Sequence, residues 1–568
     1  ESLTSREWIE KNVRSRGPLG ALYPLRTATA PNKHGCLKEG DTPSWFFFLP
    51  RGGNDPADPT KPGWGGSFQR EADGWYRDIP KTDDYDPRTT VSKYRGDFQA
   101  DFARRMRWCV DDVTLNEKAD GYRGIWYMNQ PSRDEYVYKY SGGLGTYCAK
   151  HRPFAIYCKA ANKTFFCYGG AERHDSRHLL HMVSYFDHAT GQVPRPTLLL
   201  DKETDDAHDN PVISIDSDGY IWIFSTSHGR SRPSYVHRSC EPYDIDRFER
   251  IHTTYVNDKG VSVPLDNFSY MQVWHQDDHG FSAFLTRYND PVERTIGFLH
   301  SDNGREWKQW QRLGAIDQGH YQVSSRGRKV SGTMFNYHPR GKGLNWRTNL
   351  YYLETRDDGA TWQTIAGERT DVPLTEPAAA ALVHDYQQAG LNVYLKDLQF
   401  DEQDRPLLLY VTSHGYESGP KNAPRTWTLA RWTGGTWQKS PITTSDNNYD
   451  AGELHQVAAD DWRLIAPTDP GPQAFNPGGE VAQWQSRNQG ATWQKTRTLT
   501  SGSQFNHTYV RRVLNAHPDF VAIWADGHGR QPSESTLYFC NADGEVFQLP
   551  REMHSDFASM QVVQQRGR

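Results

Sequence analysis

Three stretches of this chain share one spacing. Thr355-Arg-Asp-Asp-Gly-Ala-Thr-Trp362 fits the pattern S/T-x-D-x-G-x-T-W in full. His300-Ser-Asp-Asn-Gly-Arg-Glu-Trp307 keeps Asp302, Gly304 and Trp307. Ser486-Arg-Asn-Gln-Gly-Ala-Thr-Trp493 keeps Ser486, Gly490, Thr492 and Trp493, with Asn488 in the Asp position. The physical logic is a hairpin turn closed by a carboxylate, with the indole tucked under it. Weaker echoes are Thr433-Gly-Gly-Thr-Trp437 and the turns at Asp218-Gly219 and Asp543-Gly544. A repeated hairpin cannot bury its apolar face alone, so such repeats imply a propeller or an array. About 440 residues divided by a blade of roughly sixty gives about seven blades, within the usual range of four to eight. The fold class read here is all-β: a seven-bladed β-propeller, plus an irregular N-terminal segment with a short helix.

Composition sets the outer bounds. The chain has 568 residues and a formal net charge of -5, so no nucleic-acid footprint is visible and an anionic partner must be held by a local cluster. Aromatics make up 13%, with 19 Trp and 30 Tyr; most must fill the core, but flat rings also stack on sugar faces. No run of about eighteen apolar residues exists, so no membrane span is expected. The first residue is Glu, so the chain reads as processed, cut or trimmed, and a missing signal peptide carries no information. The seven cysteines show no CxxC spacing. Cys158 and Cys167 flank a short hairpin, where a cross-strand bridge and buried free thiols are both open readings.

The character of the chain changes near residue 110. Residues 1–110 are dense in Pro, Gly, Asp and Arg and hold one helical pattern, Phe98 to Val110. Residues 111–568 alternate short β-rich runs with Gly, Asn and Asp turns. Within them, DAHDNPVISIDSDGYIWIFSTSHGR (206–230) reads as strand, Asp-Gly turn, strand. His208 and His228 bracket this hairpin, which places them at one rim of a sheet.

Three resemblances follow from these stretches. The eight-residue repeat is the Asp-box of sialidase-like β-propellers, a structural feature that carries no chemistry. EGDTPSWFFFLP, GWGGSFQRE and FQADFARRMRWCV resemble the tail of a nucleoside-hydrolase-like domain, without its aspartate cluster. No hydrolase activity is therefore expected of that part, and an extended N-terminal arm is the rival reading. Residues 206–230, with GYRGIWYMNQ, YKYSGGLGTYCAKHRPFAIY, SYMQVW, FLTRYND and NWRTNLYYLETRDDGATW, resemble the propellers of polysaccharide lyase families 24 and 25, the ulvan lyases. An α-L-rhamnosidase family on the same propeller looks similar.

The lyase resemblance implies β-elimination at a uronic acid and names a site. A base takes the C5 proton, a cation stabilises the carboxylate as it gains enolate character, and an acid protonates the leaving oxygen. By motif, His208, His228, Tyr270 and Arg287 are the catalytic set: His208 as base, Tyr270 as acid or as base for the C5 epimer, Arg287 as neutraliser, and His228 as a second proton carrier or carboxylate contact. A second family tyrosine falls on Tyr337 or Tyr321, with Tyr337 preferred. Substrate contacts are expected from Tyr337, Arg230, Arg347, Asn210 and His455. Lys139, Asn345, Tyr449, His507 and His528 are further rim candidates.

Competing readings are a glycoside hydrolase removing rhamnose, a sialidase, and a non-catalytic carbohydrate-binding propeller. The usual hydrolase test is a pair of carboxylates flanking the bond, and Asp206 and Asp209 leave it inconclusive. The sialidase reading lacks an Arg-Ile-Pro motif. No cofactor is expected for catalysis and no catalytic metal is assigned. A structural zinc or calcium ion is considered, with His174, His178, His181, His237 and Cys240 as a loosely spaced ligand set. The expected partner is an anionic polysaccharide, with no nucleic acid and no membrane span. The chain is read as a monomer that is secreted, periplasmic or on the cell surface.

Overall fold

A computed structural model describes residues 3, 5–24, 45–49, 52–108 and 115–563. The chain divides into two compact units. The first comprises Glu1–Leu115 with Ala189–Gln192 and His554–Ala558. It carries the helix Arg95–Trp108 and a small hairpin, Phe68–Arg70 with Tyr76–Asp78. Its core joins Ile9, Val13 and Met106. The helix was expected over Phe98 to Val110; it begins three residues earlier, and residues 109–114 lie outside the described residues, as do Cys36 and Cys109.

The second unit is a ring of antiparallel sheets. Blade 1 holds Ala155–Cys158, Lys163–Gly170, Leu180–Asp187 and Thr197–Asp201. Blades 2 to 7 open on Pro211–Ile215, Ser269–Gln276, Gln322–Arg326, Asn392–Phe400, Glu453–Ala458 and Asn506–His517, each the first of four strands. Seven four-stranded blades result among the described residues, as the repeat spacing implied. The opening strands of blades 7 and 1 lie parallel, with Leu514 opposite Ile156, which joins the last blade to the first.

Period-two alternation makes every blade apolar on both faces, so each contact between blades is a separate core. Ile213 and Ile223 of blade 2 meet Phe165 and Val183 of blade 1. Val212 and Phe224, on the opposite face of blade 2, meet Val273 and Ala283 of blade 3. Equivalent clusters join blades 3 to 4 (Phe298, Tyr351), 4 to 5 (Met334, Leu408), 5 to 6 (Leu409, Leu464) and 6 to 7 (Val481, Trp524). Phe520 of blade 7 packs against Phe166 and Phe186 of blade 1 at centroid distances of 5.9 and 5.8 Å.

The repeated turns do structural work. Asp357 Oδ1 accepts from Thr361 N at 2.8 Å, Thr355 Oγ1 accepts from Gly359 N at 2.9 Å, and Trp362 is buried. Asn488 and Ser486 repeat these contacts, so the amide oxygen replaces the carboxylate without loss. In the third turn Asn303, not Asp302, accepts the backbone N–H groups of Arg305 and Glu306. That turn is one residue tighter than the aligned pattern, which leaves Asp302 exposed beside His300 and Lys308. The cross-strand bridge considered for Cys158 does not form. Cys158 lies opposite Lys163, Cys167 lies opposite Val183, and both thiols are free.

Candidate active site

One rule positions the site. In an antiparallel blade, the starts of the first and third strands and the end of the second lie at the same end. His208 precedes the first strand of blade 2 and His228 follows its second, each three residues beyond the pair Pro211–Ser225. Tyr270 and Tyr321 stand at the start of the first strands of blades 3 and 4; Arg294 and Arg347 stand at the start of the third. These residues line one cavity, with Lys139, Lys150, Lys396, Tyr140, Tyr147, Tyr394, Tyr449 and Tyr509.

The blade 2 hairpin is built by its turn. Gly219 N donates to Asp216 O at 3.0 Å, and Asp216 accepts from Tyr220 N and from the Trp222 indole, both at 2.8 Å. Gly219 has φ +86°, and a Cβ there would meet the Tyr243 ring at 2.3 Å, so only glycine fits. At the other end the two imidazoles stack, with centroids 3.9 Å apart and planes at 16°. Asp206 holds both: Oδ1 is 2.6 Å from His208 Nδ1, and Oδ2 is 2.7 Å from His228 Nδ1. Asp209, fully buried, accepts from His228 N at 2.6 Å and from Arg232 at 2.7 and 2.9 Å.

This arrangement fixes the tautomers. Burial would raise the Asp206 carboxyl, but His208 and His228 outweigh it and hold the group well below the carboxylate range. An ionised carboxylate only accepts, so each Nδ1 must carry a proton and each neutral ring presents its lone pair at Nε2. Burial, then the charge of His228, pushes His208 down to about 4, so it is neutral at pH 7. Its Nε2 is occupied by the Tyr147 hydroxyl at 2.7 Å and the Tyr140 hydroxyl at 3.0 Å. His228 Nε2 has no hydrogen-bond partner among the described residues, and its side chain is 24% exposed against 5% for His208. Both rings line the cavity, but the one with an open Nε2 is His228.

Tyr270 reaches the cavity through a bulge. The pairing of Ser269–Gln276 with Gly280–Tyr288 slips between Ser269 and Gln272, and Tyr270 adopts φ +53°. A left-handed tyrosine costs of order 1–3 kcal/mol and persists where surrounding structure imposes it. Its ring lies 6.1 and 6.3 Å from the two imidazoles and 5.6 Å from Tyr321, and the Tyr288 hydroxyl donates to it at 3.3 Å. Burial holds its phenol well above the ordinary value. Tyr509 stands in a similar bulge, at φ +47°.

The cavity is strongly cationic. Lys139, Lys150, Arg294, Arg347 and Lys396 line it, and among the described residues no aspartate or glutamate does. Nε and Nη1 of Arg294 and Nε of Arg347 are buried without a hydrogen-bond partner. Arg347, Lys150 and Arg294 sit 4.5, 4.8 and 5.1 Å from the Tyr321 ring centroid. Burial alone would raise the Tyr321 phenol; the charges of Arg294, Arg347, Lys150 and Lys139 bring it down to about 8. Burial, with Arg347 next, lowers Lys139 to about 7, and burial lowers Lys150 to about 8.

Several expected site residues lie elsewhere. Arg287 lines a neighbouring pocket with Arg230, Tyr255, Asp290, Trp310 and Arg312, and its Nη1 donates to Tyr255 OH at 2.7 Å. The reason is strand alternation. Tyr288 points to Tyr270, so Arg287, one residue earlier, points to the opposite face. Arg294, the cross-strand partner of Tyr288, shares the cavity face instead. The Tyr337 hydroxyl donates to Gln387 away from the cavity, and Tyr321 occupies the place considered for it. Asn210 is a scaffold residue: its amide donates to Leu144 O and Tyr147 O, both at 2.8 Å. His455 is buried on the first strand of blade 6 and does not line the cavity; nor do His507, bonded to the Trp524 indole, or His528. Lys139, Asn345, Arg347 and Tyr449 do line it.

The sequence pattern gave no sign of Arg294, Lys150, Lys396 or Tyr140 as individual residues. Lys396 turns inward at a slip between Leu395 and Asp397, and no local spacing announces such a slip. The loose metal set also disperses. His178 pairs with Asp201 at 3.1 Å, His181 contacts Ser225 Oγ at 2.9 Å, and His237 sits within Tyr235–Ser239. Among the described residues, metal-capable clusters of three form at Asp206/His208/His228 and at His188/His517/Asp519.

Comparisons with known proteins agree with this architecture. Residues 182–445 match the model of a BNR repeat-containing family member. Residues 1–68 match the nucleoside hydrolase-like domain described for cellulose-binding Sde182. An ulvan lyase of Nonlabens ulvanivorans is 23% identical over 357 residues, covering 57% of this chain and 72% of that protein. An ulvan lyase, PL25, of Pseudoalteromonas sp. (strain PLSV) is 22% identical over 347 residues, covering 56% and 69%. A solved polysaccharide lyase PL25 ulvan lyase aligns with TM-score 0.57 at 17% identity, covering 75% of this chain and 96% of that one. No helix among the described residues is long and apolar enough to cross a membrane. The chain is a β-propeller with a BNR repeat-containing segment and a nucleoside hydrolase-like N-terminal segment, similar in sequence and fold to the ulvan lyases.

Proposed function

We propose that this protein is a polysaccharide lyase that cleaves rhamnosyl–uronate links of an ulvan-like sulfated polysaccharide by β-elimination. The observation that carries the reading is the cavity itself: five lysine and arginine side chains, a carboxylate-held imidazole pair, seven tyrosines and, among the described residues, no lining carboxylate. The usual glycoside hydrolase pair is two carboxyl groups flanking the bond, and Asp206 and Asp209 both lie behind the imidazoles. Similar proteins are described as ulvan lyases, and a related solved structure is described with -[GlcA(1-4)Rha3S]- bound.

The substrate carboxylate is held by Arg294 and Arg347, which keep unpartnered buried nitrogens at Nε and Nη1 and at Nε respectively. His228 Nε2 takes the C5 proton, and the C5–H electrons form the C4–C5 double bond. The C4–O4 bond breaks with its electron pair on oxygen, which takes the Tyr270 proton. His208 keeps Asp206 and His228 aligned, and solvent then restores both proton carriers. Elimination is difficult because the C5 proton is weakly acidic, so the arginine pair carries the largest share of the stabilisation. A polymer of this kind does not enter cells, which supports a secreted or surface-held enzyme.

Mixing the protein with ulvan and following ultraviolet absorbance tests the reading, because elimination creates a conjugated unsaturated uronate and hydrolysis does not. A rise that is lost in His228→Ala is the expected result. New reducing ends or free rhamnose without absorbance would overturn elimination in favour of hydrolysis.

A further inference from the structure

A second constellation lies far from the cavity in function, at the junction of the last and first blades. His188 follows the blade 1 strand Leu180–Asp187, while His517 and Asp519 form the turn between the blade 7 strands Asn506–His517 and Phe520–Gly527. His188 Nδ1 is 3.4 Å and His517 Nδ1 is 3.3 Å from the same oxygen, Asp519 Oδ2. The two imidazole centroids are 4.0 Å apart. A tetrahedral zinc ion with bonds of about 2.0–2.1 Å keeps its ligand atoms about 3.3–3.4 Å apart. Both measured edges have that length, which is long for a charge-assisted N–H to carboxylate hydrogen bond, at about 2.7–2.9 Å.

The surroundings orient these atoms. His188 Nε2 is 2.8 Å from Thr164 Oγ1 on the adjacent strand. With Nε2–H donating to that hydroxyl, the Nδ1 lone pair points at the carboxylate. An outer hydrogen bond of this kind commonly sets the tautomer of a metal-bound histidine. His517 Nδ1 accepts from Asp519 N at a long 3.3 Å, a weak contact that a cation bound there would replace. The His188 side chain is 1% exposed, His517 30% and Asp519 57%, so the pocket has a rigid floor and an open mouth. The Tyr157 ring walls it at 5.2 and 5.1 Å from the two imidazoles.

We propose that His188, His517 and Asp519 form a structural site for a zinc-class divalent cation that clamps blade 7 to blade 1. Two nitrogen donors and one oxygen suit zinc and its first-row neighbours, whereas calcium and magnesium take oxygen ligands. The place matters physically. A propeller ring closes where its last blade meets its first, and here that junction is held by the parallel contact of Leu514 with Ile156, by Phe520 and Phe539 packing on blade 1, and by Arg511 donating to Cys148 O and His151 O. A cation bound only by the closed ring stabilises the folded state by mass action.

The test uses the full chain stripped with a chelator, re-equilibrated with zinc at pH 7.5 and desalted. One equivalent retained, a tetrahedral absorption spectrum with cobalt, and a melting midpoint raised by about 3 °C are expected. His517→Ala should lose all three. Asp519→Asn, a milder change at an exposed side chain, should weaken zinc at least tenfold while the metal-free chain melts as the parent does. Asp206→Asn, which breaks the other His/Asp cluster, should retain the equivalent. No retained zinc in the parent chain would overturn the proposal. So would zinc kept in His517→Ala and lost in Asp206→Asn.

Discussion

Two neighbouring pockets of the propeller are rich in arginine, yet only one is built to receive an anion. Around Arg287, Arg230 and Arg312, the acids Asp258 and Asp290 are present: Arg312 contacts Asp258 at 2.8 Å and Asp290 at 2.5 Å, and Arg287 lies 3.7 Å from Asp290. In the cavity beside it, Arg294, Arg347 and three lysines have no lining acid, and buried guanidinium nitrogens go unpartnered. The same residue type means different things in the two places. A paired arginine has its charge already met, while a buried unpaired one leaves an unmet demand that a substrate carboxylate or sulfate can satisfy.

The strongest way to break this comparison is at the proton carrier. His228→Ala should lower kcat by about 10²–10⁴ on ulvan, measured by initial rates of absorbance, with folding checked by circular dichroism. A loss below tenfold would move the base to another group, Tyr321 first.

The comparison itself is tested by matched substitutions. Arg294→Met should cost about 10²–10³ in kcat/KM, while Arg287→Met should stay within about threefold. The reverse order would return the neutralising role to Arg287 and make the unpaired donors a misleading signal.

The smallest effect is a pH trend in KM. Raising pH through about 7 and 8 removes charge from Lys139 and Lys150, and through about 8 it adds a negative charge on Tyr321. All three changes make the cavity less positive, so KM for the polyanion should rise by about tenfold between pH 6.5 and 9. In Tyr321→Phe the part of the rise centred near 8 should shrink. A KM that falls with pH would show that these charges do not govern binding.

Much of this molecule was legible in its residues because the relevant signals are local. Turns with a fixed Asp, Gly and Trp spacing announce a repeated hairpin, and alternation announces strands packed on both faces. The hairpin with His208 and His228 at its open ends follows from the same short-range rule. What the residues alone left undecided was which face a side chain takes at the rim. Arg287 and Arg294 are equally good arginines in sequence, and Tyr321 and Tyr337 equally good tyrosines. A one-residue step along a strand reverses the face, and bulges at Tyr270, Lys396 and Tyr509 shift that alternation by one. The tertiary structure also decided which imidazole is available, because two tyrosines from a distant segment cap His208 and leave His228 open. Composition and spacing thus determined the propeller and the neighbourhood of its site. The ring, by bringing six blades' rims to one point, decided which groups meet there.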